Sequence, residues 1–313
     1  MLLTLDPWWA AWVLDLPALA VAVGWTMLYL RGEKRRRELG SGRPRGTVAY
    51  LAGVAVTLLA LVSPIAGWSG ELLWVHMIQH LLLVVVAAPL LALGAPVATL
   101  RLALPPRGRR ALARASRASR RARRRIGDPH PIIVATIAHI LAMWVWHAPV
   151  AYDLAVRYEA VHFLEHVSFF ATGVWVWSEI VATARRHQRI QAIATLCLGA
   201  LIAQGGVLGA LLVFAGRSIY EVYTGAGGLT ALEDQEFAGA LMWVPPSFIY
   251  ATVAIRRFMA WVDATDRELR QRERRAREQA VRRADAPVVV GPPRPDELRG
   301  DGDRSSPPRD PDA

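Results

Sequence analysis

The chain has one cysteine, Cys197, set in an apolar run. That scarcity excludes a disulfide framework, a CxxC redox pair and a thiolate metal cluster. Cys197 itself reads as a small buried packing residue. Lysine is nearly absent too, since all but Lys34 of the 37 basic residues are arginine. No GxSxG elbow, Walker phosphate loop or HExxH helix occurs, and no close carboxylate pair sits beside a plausible cleft. Catalysis gains no support from these absences, so a protein that is not an enzyme is expected.

What is present is strongly segregated. More than half of the 313 residues are apolar and mean hydropathy is +0.25, although one fifth of the residues are charged. Long apolar runs must therefore alternate with dense charge. A bilayer core of about 30 Å takes roughly 20 mostly apolar residues per helix. Seven segments qualify: Trp8 to Tyr29, Thr47 to Ala66, Leu72 to Leu93, Pro131 to Trp146, Ala160 to Ala182, Ile190 to Ala215 and Phe237 to Phe258. Asp15 and Pro17 interrupt the first, and its Trp8, Trp9 and Trp12 suit a headgroup-level aromatic belt. No basic region precedes that segment, so it reads as a retained helix and not as a cleaved signal peptide.

Arginine placement gives the direction. Seven basic residues lie between Arg31 and Arg45, eleven between Arg101 and Arg125, and three between Arg185 and Arg189, against only Arg157 and Arg217 in the opposite loops. The positive-inside bias then puts the N-terminus outside and the C-terminus in the cytoplasm. The run RGRRALARASRASRRARRR (107–125) lies between two spans and reads as a topogenic loop that rests on anionic membrane lipid, with no role in binding nucleic acid. An all-α, polytopic transmembrane bundle is expected over residues 1–262. Residues 263–313 form a charged cytoplasmic tail, a short helix followed by disorder.

Depth follows from direction. HMIQH places His76 and His80 at the outer end of the third span. MWVWHAP places His147 at the outer end of the fourth, and HFLEH places His162 and His166 at the outer end of the fifth. Five of the eight histidines thus share one membrane face. Each i,i+4 pair projects from one side of its helix. His139 lies about two turns deeper than His147 on a similar face, whereas His130 and His187 read as surface residues. Polar side chains in a membrane are costly unless they face the bundle interior and find partners. Imidazoles on facing helices are a familiar metal site. Met77, Met143 and Met242 offer thioethers beside them, and histidine with methionine favours copper, cuprous copper above all. Glu165, Asp234, Asp153, Glu236 and Glu71 are candidate carboxylates for orienting the rings, although each equally suits a solvated loop, and for Asp153 and Glu71 the loop is the better reading.

Taken together, HMIQHLLLVVVAAPLLALGAP, WHAPVAYDLAV, the HFLEH pair and EDQEFAGALMWVPPSFIY resemble the cytochrome c oxidase assembly protein family of the CtaG type that is associated with caa-type oxidases. The likeness runs from about Trp68 to Phe258. It differs from the single-span, cysteine-using copper carrier that shares the CtaG name. The resemblance implies a multi-pass protein of the bacterial plasma membrane that helps copper reach a terminal oxidase. Its partners would be cytochrome c oxidase subunits and possible periplasmic copper carriers. By position, His76, His80, His147, His162 and His166 match the family's histidine motifs, and Asp234, Met242 and Trp243 its last-span motif.

Two other classes stay open at this point. Axial histidines on two helices suit a b-type haem electron carrier. Gln204, Gly205 and Gly206 in the sixth span, with Pro89 and Pro96 around the third, suit a copper transporter. If imidazoles hold the metal, binding should weaken as pH falls through about 6.5, the ordinary histidine value, because a protonated ring cannot ligate. Bound metal measured across a pH series checks this, and an unchanged content from pH 8 to pH 5 would exclude imidazole ligation.

Overall fold

The computed structural model describes residues 5, 7–13, 16–125, 130–183 and 188–284. Asp15, His187 and the tail beyond residue 284, each part of the sequence expectations, lie outside them. Among the described residues the protein is all-helical, with no strand. In chain order α1 (Leu16–Glu38), α2 (Pro44–Val62) and the short α3 (Pro64–Trp68) precede a continuous run of α4 (Leu73–Leu81), a π-helical segment (Leu82–Ala87) and α5 (Ala88–Leu93). Then come α6 (Pro96–Ala103), α7 (Pro106–Arg125), α8 (Pro131–Trp146), α9 (Pro149–Arg157), α10 (Glu159–Thr183), α11 (Gln188–Val213) and α12 (Ala231–Ala284).

Proline sets many of these boundaries. Pro44, Pro64, Pro96, Pro131 and Pro149 each open a helix, where the missing N–H would be unpaired anyway and φ is already helical. Pro89 acts differently, because it stands inside the third span. Upstream of it the helix widens, and the Ala88 N–H reaches back five residues to Leu83 O. In that register Pro89 cannot donate to Val84 O. The Trp177 indole N–H takes over that carbonyl at 2.9 Å, tying α10 to the run.

Several helices expose apolar side chains while burying polar ones. On α10, Phe163, Leu164 and Val167 are exposed while Glu165 and Phe169 are fully buried. On α8, Ile137, Leu141 and Val145 are exposed while Thr136 and His139 are buried. Such wide apolar surfaces need an apolar solvent. Four helical stretches are long and apolar enough to cross a membrane: α2, Leu73–Leu93, Ile190–Val213 and Ala231–Val281. A fifth arises if α8 and α9, bent by 76° where Pro149 starts the second, form one broken span. Several apolar helices of this kind mark a membrane protein.

The other expected spans fall short for physical reasons. α1 begins at Leu16, so Trp8, Trp9 and Trp12 stand outside it and the segment Trp8 to Tyr29 loses its outer part. α10 covers Ala160 to Ala182 but carries His162, Glu165, His166, Ser168 and Thr172, which dilute its hydropathy. Two loop assignments also change. Asp153 sits on α9. Asp234 and Glu236 lie in the first turns of α12, which starts six residues before Phe237. A reciprocal cap sets that start: Glu233 Oε2 accepts from Thr230 N at 2.8 Å, and Thr230 Oγ1 accepts from Glu233 N at 3.3 Å.

The chain divides into two units, Met1–Val262 and Asp263–Ala313. In the second, the described residues 263–284 are helical, and Arg270 pairs with Asp266 at 2.8 Å. Within the first unit, α11 and α12 approach through glycine. A Cβ on Gly239 would meet Gly209 O at 2.7 Å, and one on Gly209 would meet Gly239 O at 2.6 Å. Gly239→Ala is therefore expected to cost about 1–3 kcal/mol through overpacking. Gly199→Ala, with nothing within 4 Å of the new methyl group, should cost little. Thermal melts in detergent check this, and equal Tm values for the two variants would refute the close approach.

Candidate metal centre

α4 and α10 bring two pairs of imidazoles together. One ligand nitrogen from each of His76, His80, His162 and His166 lies within 4.8 Å of the others. Each helix supplies its pair by the i,i+4 spacing, and the ring centroids of His76 and His162 stand 5.0 Å apart across the interface. The hydrogen-bond network assigns the tautomers on α4. Tyr223 OH donates to Ser69 O at 2.8 Å, so it accepts from His76 Nδ1 at 3.1 Å. His76 Nε2 is then an acceptor, and His80 donates to it from Nε2 at 3.0 Å. That leaves His80 Nδ1 as a buried lone pair with no hydrogen-bond partner.

Glu165 lies on α10 between His162 and His166 and is fully buried. Its oxygens stand 3.8 Å from His76 Nε2 and 3.9 Å from His80 Nε2, too far for hydrogen bonds. Among the described residues thirteen buried side-chain polar atoms lack a hydrogen bond. Six of them lie on this group, on Glu165 or on the neighbouring His147: His80 Nδ1, His147 Nε2, His162 Nε2, His166 Nε2 and both Glu165 oxygens. Unsatisfied buried groups are ordinarily few and scattered. A cation would use these lone pairs and compensate a carboxylate charge. Two atoms bound about 2.0–2.1 Å from one ion stand at most about 4.1 Å apart. Four ligands around one tetrahedral ion stand closer, about 3.4 Å apart, so all four rings can share an ion once the widest pair closes by up to about 1.4 Å.

The remaining site candidates occupy three kinds of position. His147, the C-cap of α8, donates from Nδ1 to Met143 O at 2.7 Å, so its buried Nε2 carries a lone pair. His139 donates from Nδ1 to Thr172 Oγ1 at 2.9 Å, since that hydroxyl donates to Ser168 O at 2.7 Å. Both rings lie outside the four-imidazole group but line an adjoining cavity with Met77, Met143 and Met242. Asp234 holds a helix end. Its two oxygens accept from Leu73 N and Trp74 N at 2.8 Å each, which caps the start of α4 three residues before His76. Glu71 is half-buried, Glu236 is exposed, and His130 accepts from Ile132 N at the start of α8.

Several contributors carry no obvious sequence signal. Tyr223 fixes the His76 tautomer from the loop after α11, and Tyr152 packs against both rings in a tilted arrangement. Tyr152 lies inside WHAPVAYDLAV, five residues after His147, so aromatic hydroxyls at the depth of the histidines were the available clue. Gln235 closes the loop over the site: Oε1 accepts from Ile219 N at 2.6 Å, and Nε2 donates to Leu212 O and Arg217 O.

These features define a membrane-embedded helix bundle with a polyimidazole centre between two of its helices, buried at His76 and His80 and half-buried at His162 and His166. The chain belongs to the cytochrome c oxidase caa3 assembly factor family (Caa3_CtaG), whose model matches residues 27–264. Membership implies an assembly role and association with the oxidase. No curated protein and no solved structure gives a significant match.

The cap from Asp234 generates a test. Asp234→Ala strips two charge-assisted bonds from the α4 N-terminus and is expected to destabilise by about 1–2 kcal/mol. Glu236→Ala, at an exposed position, should leave stability unchanged. A Tm for Asp234→Ala equal to that of the parent protein would show that the cap carries no weight.

Proposed function

We propose that the protein is a non-enzymatic assembly factor that receives copper at its outer face, holds it among imidazoles and passes it to an oxidase subunit. The observation that carries this reading is the convergence of His76, His80, His162 and His166 within 4.8 Å, with unpaired buried nitrogens aligned to no protein donor. Here four rings from two helices form the centre, and His147 joins from a third helix at its margin. Neutral imidazole with nearby thioether suits copper better than magnesium or calcium. An open, adjustable ligand set also suits transfer, since an ion must leave as well as bind.

The wider setting belongs to the same proposal. Seven helical segments cross the bacterial plasma membrane, with the N-terminus outside and the C-terminus in the cytoplasm. Arginine placement supports this, as does the common depth it gives the four histidines. Residues 1–262 form the membrane domain and residues 263–313 a charged cytoplasmic tail. Cytochrome c oxidase subunits and periplasmic copper carriers are the partners.

A haem reading is weaker on geometric grounds. The cavity beside the cluster is about 40 Å³, whereas small-molecule pockets run to roughly 300 Å³ or more. Purified protein should accordingly show no Soret absorption. A transport reading draws on Gln204, Gly205 and Pro246, which also line that cavity. Copper accumulation in cells with and without the gene separates transport from assembly.

The decisive measurement is metal analysis of purified protein beside a variant carrying His76→Ala, His80→Ala, His162→Ala and His166→Ala. The parent is expected to retain copper and the variant to lose most of it, by tenfold or more, as for removal of whole ligands. Equal copper in both would remove these residues from the function.

A further inference from the structure

The cavity next to the four-imidazole centre has a lining that the centre does not explain. It measures about 40 Å³, several times the roughly 10–15 Å³ that one water-sized sphere needs. Its wall includes three thioethers, Met77, Met143 and Met242, and three imidazoles, His80, His139 and His147. Met77 and Met242 are 1% and 5% exposed, so both sulfurs are withdrawn from bulk water. The methionines come from three separate helices, α4, α8 and α12, and meet only in the fold.

Three of the wall residues carry buried polar atoms without a hydrogen-bond partner: His80 Nδ1, His147 Nε2 and Gln204 Oε1. The His147 nitrogen is committed as an acceptor, because its Nδ1 proton is held by Met143 O at 2.7 Å. His80 belongs to both sites. Its Nε2 faces His76 at 3.0 Å in the outer centre, and its other nitrogen is the unpartnered one. This ring thus lines the cavity, bonds His76 through one nitrogen and keeps the other without a hydrogen-bond partner.

We infer that this cavity is a second, soft-metal site, distinct from the outer centre, which takes a cuprous ion through His147 Nε2, His80 Nδ1 and methionine sulfur. Thioether and neutral imidazole together select Cu(I) over zinc and over hard cations. Charge supports a monovalent ion, since the acceptors named here are neutral. His80 is the step between the sites: as His162 and His166 release the ion it passes from Nε2 to Nδ1 of this ring, the ring proton moves from Nδ1 to Nε2, and methionine replaces the lost imidazoles. No electron moves, and the ion remains cuprous throughout. The relay rests on the copper-handling reading above, whereas occupation of the cavity rests on its own lining.

The test loads purified full-length protein anaerobically with Cu(I) against a competing cuprous chelator. Copper is counted, and its X-ray absorption spectrum is recorded. About two cuprous ions per chain are expected, with sulfur as well as nitrogen scattering. A Met77→Leu, Met143→Leu, Met242→Leu variant, which nearly conserves side-chain volume, should bind about one ion by nitrogen alone. A His162→Ala, His166→Ala variant should keep the sulfur signature and lose the nitrogen-only ion. Nitrogen-only scattering in the parent, or unchanged copper in the methionine variant, overturns the cavity site and leaves the outer centre standing. Unchanged copper in the histidine variant with sulfur scattering retained overturns the outer centre and the relay while the cavity stands. Should the methionine variant not fold, the spectrum of the parent protein decides alone.

Discussion

A neutral imidazole or a carboxyl group moved from water into an apolar interior costs several kcal/mol unless it gains a partner. The bundle is organised around that penalty. His76, His80, His162, His166 and Glu165 are enclosed between α4 and α10, and the protein supplies hydrogen bonds to only some of their polar atoms. Tyr223 and Ser69 fix one ring, and His76 fixes the next. The chain of donors then ends, and a group of lone pairs is left directed at one another. Such an arrangement withstands the folding penalty most readily when a cation completes it.

Much of the surrounding structure serves to keep that arrangement in register. Asp234, at the start of the last helix, caps α4 just before its first histidine. Gln235, the next residue, pins the loop that carries Tyr223. Beyond His80 the π-helical segment shifts the helix register ahead of Pro89, and Trp177 from α10 satisfies the carbonyl this strands. The two helices that bear the imidazole pairs are thus bonded to each other below the site and tethered by the last helix above it. A bond lost at Asp234 would be felt at His76 through the backbone and not through a shared ligand.

The same logic relates the centre to membership of the caa3 oxidase assembly factors. On the proposed copper-handling reading, the protein must bind an ion without keeping it. Four nitrogens spread over up to 4.8 Å form a looser set than a closed tetrahedral site. The neighbouring cavity, lined by Met77, Met143 and Met242, would supply the next ligands in the proposed relay. Exposed apolar side chains cover the outer faces of α8 and α10, while Thr136, His139 and Glu165 on the same helices are buried.

Periodicity and motif spacing by themselves determined a good deal. The helical class, the segregation of charge and the pairing of His76 with His80 and of His162 with His166 are local consequences of a 3.6-residue repeat. They need no knowledge of neighbours. The capped start of α12 was local too, in Thr230 and Glu233, yet the apolar run drew the expected boundary to Phe237. Only the tertiary structure decided which pairs meet, that His147 and His139 stand beside the group and not within it, and that Met77, Met143 and Met242 share one wall. It alone revealed Asp234 as a helix cap and Tyr223 as the acceptor that sets a tautomer. Those outcomes depend on contacts between residues as far apart as 161 positions. Spacing along one helix fixes a direction around its own axis, whereas the distance to a partner on another helix is set by packing.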